Sequence, residues 1–206
     1  LPGVKAVITS ADIPEMVPGT PGRQGAITDR EYYQSRELMA REKVLFHGHT
    51  VAAVAAIDES TAEEALGLID VEYEVLPHVL EPDIAMQSDA PLLHDTVHTR
   101  SQNGKSDEAS NLVEHWELSR GDIEQGFAEA DSVVEESFRS QVVHQGYVEP
   151  DAEIAHAHLD GSMEVWANTQ SIYSTRSDIA VLLDIPLSDI TVNPTELGGA
   201  FGGKET

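Results

Sequence analysis

Gly198-Gly199-Ala200-Phe201-Gly202-Gly203-Lys204-Glu205-Thr206 closes the 206-residue sequence with four glycines around an Ala-Phe pair. Glycine reaches positive φ without a Cβ penalty and lets a backbone approach a ligand closely, so the stretch reads as a main-chain cradle for a cofactor or an anion. A structural glycine turn with a packed phenylalanine is the alternative that these residues leave open. The Walker frame fails because Glu205 stands where Ser or Thr must follow Lys204, and the GxGxxG fingerprint of dinucleotide folds is not met. A glycine loop in this place reads as a site cut through. Leu1-Pro2-Gly3-Val4, with neither Met nor a signal-peptide pattern, reads as a cut beginning.

Working outward, 40% hydrophobic residues are enough for a globular core. A net charge of -25 repels phosphate backbones and anionic lipid, which argues against nucleic-acid and membrane-surface partners. No run approaches the roughly 18 apolar residues of a membrane helix. With no cysteine, thiolate metal sites, iron-sulfur clusters and cysteine nucleophiles are excluded from this sequence. The acid excess is denser after residue 105 and is explained by solubility, by a saline habitat or by a face for a basic subunit.

The pattern predicts an α+β chain. Lys5 to Thr9 has strand composition, and Thr50 to Ile57 reads as a buried strand. Ser60 with Glu63 predicts a capping box for a helix carrying Ala62, Ala65, Leu66 and Ile69 on one face. Strict alternation in Val71-Glu72-Tyr73-Glu74-Val75 predicts a further strand. Polar, Gly-containing sequence from Asp95 to Ser110 marks a boundary, giving a first domain over 1–95, a linker over 96–118 and a second domain over 119–206. In the second half, Asp122 caps a short helix with Ile123, Phe127 and Ala130 inside. Ser132 to Val143, Ala152 to Leu159 and Met163 to Ala167 read as strands of an antiparallel sheet, the last two joined at Asp160-Gly161. Ser171 to Leu183 reads as a helix stopped by Pro186, and Ile190-Thr191-Val192 as a strand entering the glycine loop.

The histidines offer little. His156 and His158 share a strand face, and His47, His49 and His144 stand apart, which is short of the three or four converging ligands that a zinc hydrolase needs. Glu63-Glu64 and Glu135-Glu136 are neighbours and point apart, so neither forms an acid/base dyad. No GxSxG or HExxH frame occurs. A non-catalytic acidic interaction module with a structural glycine loop remains a second reading.

A set of segments in fixed order adds specificity. Phe46-His47-Gly48-His49-Thr50-Val51-Ala52-Ala53-Val54, Ala62-Glu63-Glu64-Ala65, Val71 to Pro77 and Pro91-Leu92-Leu93-His94 precede Gly121 to Phe127, Val134-Glu135-Glu136, His144-Gln145-Gly146-Tyr147-Val148-Glu149-Pro150 and Trp166-Ala167-Asn168-Thr169-Gln170. With GGAFGGK at 198–204, this order resembles the molybdenum-binding large subunits of the xanthine dehydrogenase and aldehyde oxidase family. The resemblance implies a small α/β hammerhead domain followed by the first, mostly antiparallel part of a molybdopterin-binding domain.

It also implies oxidation of a purine, an aldehyde, an N-heterocycle or CO with oxygen from water. The metal is held by a pterin dithiolene, with the cytosine dinucleotide form among the options, and the protein supplies hydrogen bonds and shape. By resemblance Gln170 contacts the oxo face of the metal centre, Gly199, Phe201 and Gly202 approach cofactor and substrate, and Glu205 matches a position that contacts substrate in some members. His144 and Glu149 fall in a segment that shapes the site. No acidic residue here matches the general base, expected downstream, so no catalytic residue and no direct metal ligand is assigned. Implied partners are a small-molecule substrate, the remainder of the molybdenum subunit, and iron-sulfur and FAD subunits or domains, in the cytoplasm.

Overall fold

The computed structural model describes residues 1–205. In chain order it contains β1 (Val4–Thr9), β2 (Pro21–Gly22), β3 (Gly25–Ala26), α1 (Asp29–Leu38), β4 (Ala52–Ala56), α2 (Glu59–Leu66), α3 (Pro82–Ala85), β5 (His98–Ser101), β6 (Gly104–Ala109), α4 (Ile123–Glu129), β7 (Glu153–Ala157), β8 (Met163–Ala167), α5 (Ile172–Leu182) and β9 (Ile190–Pro194). The chain divides into two compact units, one made of Leu1–Asp70 with the chain from Val142 onward, the other of Val71–Gln141.

In the first unit, β1 pairs antiparallel with β4, setting Val7 opposite Val54 and Ile8 opposite Ala53. Helix α2 follows β4 as the apolar-then-amphipathic sequence predicts, but its cap differs. Asp58, not Ser60, is the N-cap: its carboxylate accepts from Thr61 N at 2.8 Å, and the helix starts at Glu59. That bond holds the Asp58 carboxyl below the usual aspartate range. Helix α1, which the sequence pattern does not predict beyond a turn at Glu37 to Lys43, is set by a capping box of Thr28 with Glu31. His49 is buried at 5% exposure. Its Nδ1 accepts from Leu45 N at 3.1 Å and its Nε2 lies 2.9 Å from Arg36 O, which specifies the neutral Nε2–H tautomer.

The same unit holds a three-stranded sheet in the order β7-β8-β9. The β7–β8 hairpin is antiparallel, closed by His158 N donating to Ser162 O at 2.8 Å, with the Asp160 carboxylate accepting from Ser162 N at 3.0 Å. Strand β9, whose direction the sequence left open, pairs parallel to β8, Val165 opposite Val192, so the sheet is mixed. The reason is α5: a parallel neighbour needs a crossover connection, and this helix supplies it. Its Ala180 is fully buried with Val165, Ala167 and Ile190. Arg176 donates from Nε to Ile190 O at 2.8 Å and ties the helix to the start of β9.

In the second unit, Asp122 caps α4 by accepting from Gln125 N at 2.9 Å, as expected. Two predicted strands do not form. Val71–Val75 and Ser132–Val143 carry no ladder. Alternation produces a strand only where a partner edge exists, and Val75 at 87% and Phe138 at 93% exposure have found none. Conversely, β5 and β6 form a hairpin around Gln102-Asn103, inside the polar stretch expected to be irregular. Gly104, the first residue of β6, follows the turn with a positive φ of 111° that glycine adopts freely.

Candidate cofactor site

Strand β8 ends at Ala167 and β9 at Pro194, side by side, so the segments that leave them, 168–170 and 198–204, emerge from one edge of the sheet. Gln170 joins them. Its Oε1 accepts from Gly202 N at 3.0 Å and from Lys204 N at 3.3 Å, while its own N–H donates to Lys204 O at 2.6 Å. Two N–H donors on Oε1 fix the amide orientation, because exchanging the oxygen and nitrogen would set N–H against N–H. The Gln170 amide nitrogen is left as the outward donor, on an exposed side chain.

The loop itself turns tightly. Gly203 N donates to Ala200 O at 2.9 Å, and the two residues between have positive φ, 54° at Phe201 and 88° at Gly202, the sign pattern of a type I′ turn. A non-glycine residue in this region costs about 1–2 kcal/mol. Phe201 meets that cost while its ring stays 75% exposed. The turn's hydrogen bonds to Ala200 O and Gln170 Oε1 offset that strain, and the exposed ring fits a surface that a ligand covers. Gly202 has open space where a side chain would stand, and Gly199 has φ 97°. The side chain of Glu205 is exposed beside this turn.

Behind the loop lies a set of contacts that the sequence did not reveal. Lys204 is buried, its side chain 3% exposed, with Nζ 2.8 Å from Glu149 Oε2, 3.7 Å from Asp151 Oδ1 and 4.9 Å from the Tyr147 ring centroid. The same Glu149 oxygen accepts from Gly198 N at 2.7 Å. Hydrogen bonding from Lys204 and from Gly198 holds the Glu149 carboxyl below the usual glutamate range. Asn168 donates to Pro150 O at 3.0 Å, tying the end of β8 to the same 145–151 segment. That Lys204 is the single lysine after residue 105, in the more acid-rich half, was the one available signal.

The donor set decides what this arrangement can hold. It offers amide donors, close backbone and an aromatic wall, and no converging side-chain ligands, so it suits a group that brings its own metal ligands. His156 and His158 stack with ring centroids 4.3 Å apart, but among the described residues no three His, Asp or Glu side chains are placed to hold a metal ion. A cavity of about 230 Å³ lies elsewhere, between the β2–β3 hairpin and the end of α5, lined by Met16, Arg23, Ile27, Val181 and Asp184. It touches none of the loop residues. Among the described residues, no helix is long and apolar enough to cross a membrane.

The first unit is an α+β unit that presents a glycine turn beside a glutamine amide. Residues 105–206 match the molybdopterin cofactor-binding domain, and residues 1–77 match the a/b hammerhead domain of aldehyde oxidase and xanthine dehydrogenase. The chain belongs to the xanthine dehydrogenase and aldehyde oxidase family of molybdenum hydroxylases, as a hammerhead domain followed by the first part of a molybdopterin-binding domain. It is 32% identical over 203 residues to a probable xanthine dehydrogenase subunit of Bacillus subtilis, covering 98% of this chain and 24% of that protein. It is 30% identical over 205 residues to the xanthine dehydrogenase molybdenum-binding subunit of Escherichia coli O157:H7, covering 100% of this chain and 26% of that one. The reconstituted CO dehydrogenase from Oligotropha carboxidovorans superposes with a TM-score of 0.75 at 30% identity, over all of this chain and 25% of that structure. The chain thus spans about a quarter of the length of its relatives.

Proposed function

We propose that the chain is the N-terminal portion of the molybdenum-binding subunit of a hydroxylase, and that it builds one wall of the molybdenum–pterin pocket. The observation that carries this reading is the joint fixation of Gln170 and the 198–204 loop: the amide oxygen holds the turn, and the amide nitrogen is left to face a bound group. When bound, the molybdenum–pterin group supplies a two-electron oxidation in which water provides the oxygen.

This chain's residues bind and orient. Gln170 would donate from its amide nitrogen to the bound group. The backbone at Gly199 and Gly202 would approach that group, the Phe201 ring would line the substrate cavity, and Glu205 would contact substrate. The general base stands on the part of the subunit outside this chain. Iron-sulfur and FAD subunits or domains would accept the electrons, the cytosine dinucleotide is one form open to the pterin, and the complex would be cytoplasmic; the names of the relatives suggest a small organic molecule or CO as substrate. The domain division at 1–95, 96–118 and 119–206 belongs to the same proposal; the hammerhead match, 1–77, falls within the first domain, and the cofactor-domain match begins at 105, inside the proposed linker.

The test is to express the full-length subunit with its partner subunits and to measure molybdenum by mass spectrometry and pterin by fluorescence after oxidation. Stoichiometric molybdenum and pterin are expected. Gln170→Ala in that complex should leave assembly intact and lower turnover of xanthine or CO, whichever the complex oxidises, by about a hundredfold, as loss of one oriented donor does. A folded complex that contains neither molybdenum nor pterin overturns the reading, and unchanged kinetics in the variant remove Gln170 from the site.

A further inference from the structure

Lys204 is the one buried lysine or arginine among the described residues of a chain with 12 such residues against 37 acidic ones. A buried ammonium persists only where carboxylates compensate it, and here two do, with a ring face beneath. Its place in the network is unusual because its main chain and its side chain hold different segments. Its N–H and C=O are bonded to Gln170, its C=O also accepts from Thr169 Oγ1 at 3.3 Å, and its Nζ reaches Glu149. One Glu149 oxygen therefore holds both ends of the loop, Gly198 by its N–H and Lys204 by its ammonium. Between these ends the loop fits against the 145–151 segment without slack: a Cβ on Gly203 would stand 2.6 Å from Tyr147 Cε1 and 3.2 Å from Gln145 Cδ.

We propose that Lys204, clamped by Glu149, is a positioning residue that fixes the Phe201–Gly202 turn and the Gln170 amide relative to one another, and so sets the geometry they present to the molybdenum–pterin group. The proposal rests on the function proposed above. It assigns the ion pair a role in orientation, distinct from holding the domain together, and an error of about 1 Å in such a wall is enough to lower turnover by about a hundredfold.

The experiment uses the full-length subunit in complex with its partners. Lys204→Met leaves Glu149 unpaired, whereas Lys204→Met combined with Glu149→Gln removes both charges. Molybdenum content, the thermal midpoint of assembly and the EPR spectrum of the dithionite-reduced complex are measured for each. The double variant should recover assembly and midpoint yet keep a shifted EPR spectrum or a molybdenum content reduced about threefold or more, because neutral side chains relieve the unpaired charge without restoring the clamp. Wild-type spectrum and molybdenum content in the double variant overturn the proposal. So does failure of the double variant to assemble, which makes the pair a folding element only. A wild-type complex without molybdenum overturns the proposed function itself, whatever the variants do.

Discussion

Gly202 and Gly203 are adjacent, yet a methyl group meets different obstacles at each. At Gly202 the space is open and the obstacle is φ 88°, whereas at Gly203 the obstacle is the Tyr147 ring. Gly202→Ala should therefore be tolerated with strain of about 1–2 kcal/mol, while Gly203→Ala should push the loop off the 145–151 segment. In the full-length complex, Gly203→Ala is expected to lower the thermal midpoint of assembly more than Gly202→Ala does, while both lose molybdenum, since a methyl group on Gly202 would enter the space proposed for the cofactor. An equal midpoint for both would mean that the loop yields easily. Glu149 gives a pH prediction at the same scale. Its folded-state pKa is depressed below the ordinary 4.5, so the stabilisation is complete above that value and is lost only as pH falls through the lower folded one. Exchange of the Gly198 amide, corrected for intrinsic rate, should stay slow at pH 4.5 and rise only at more acid pH. A rise beginning well above the ordinary glutamate value would contradict the depressed one.

At the scale of elements, α2 separates what patterning shows from what geometry decides. Ser60 and Glu63 have the spacing of a capping box, but Asp58, two residues earlier, takes the orphan N–H. Asp58→Ala should speed exchange of the first-turn amides of α2 roughly fivefold, and Ser60→Ala should leave them near wild type. The opposite result would return the cap to Ser60. The periodic elements were legible: β1, β4, α2, β7, β8, α5 and β9 lie where apolar spacing put them. The strands expected at 71–75 and 132–143 were not to be had from alternation, which says which face is wet and nothing of whether an edge is available. The direction of β9 depends on a crossover that only tertiary packing reveals. At the site, the glycines and Gln170 were visible through their order in the sequence, but the bond between Glu149 and Lys204 spans 55 residues and has no local signature.

For the whole molecule, charge and exposed apolar surface oppose each other. The chain carries a net charge of -25, which keeps copies apart, while Leu118 at 98%, Val142 at 102% and Leu159 at 109% exposure leave large side chains in water. Soluble proteins rarely leave so much apolar surface uncovered. Relatives about four times as long carry further chain that can cover it. Expressed alone, the 206 residues should bind a hydrophobic dye and self-associate, increasingly so as salt is raised from about 0.01 to 1 M and screens the repulsion. The full-length subunit at the same molar concentration should bind far less dye and remain insensitive to salt. Light scattering and dye fluorescence across that salt series decide the matter. A monomeric, dye-silent chain at high salt would show that these side chains find cover within the 206 residues themselves.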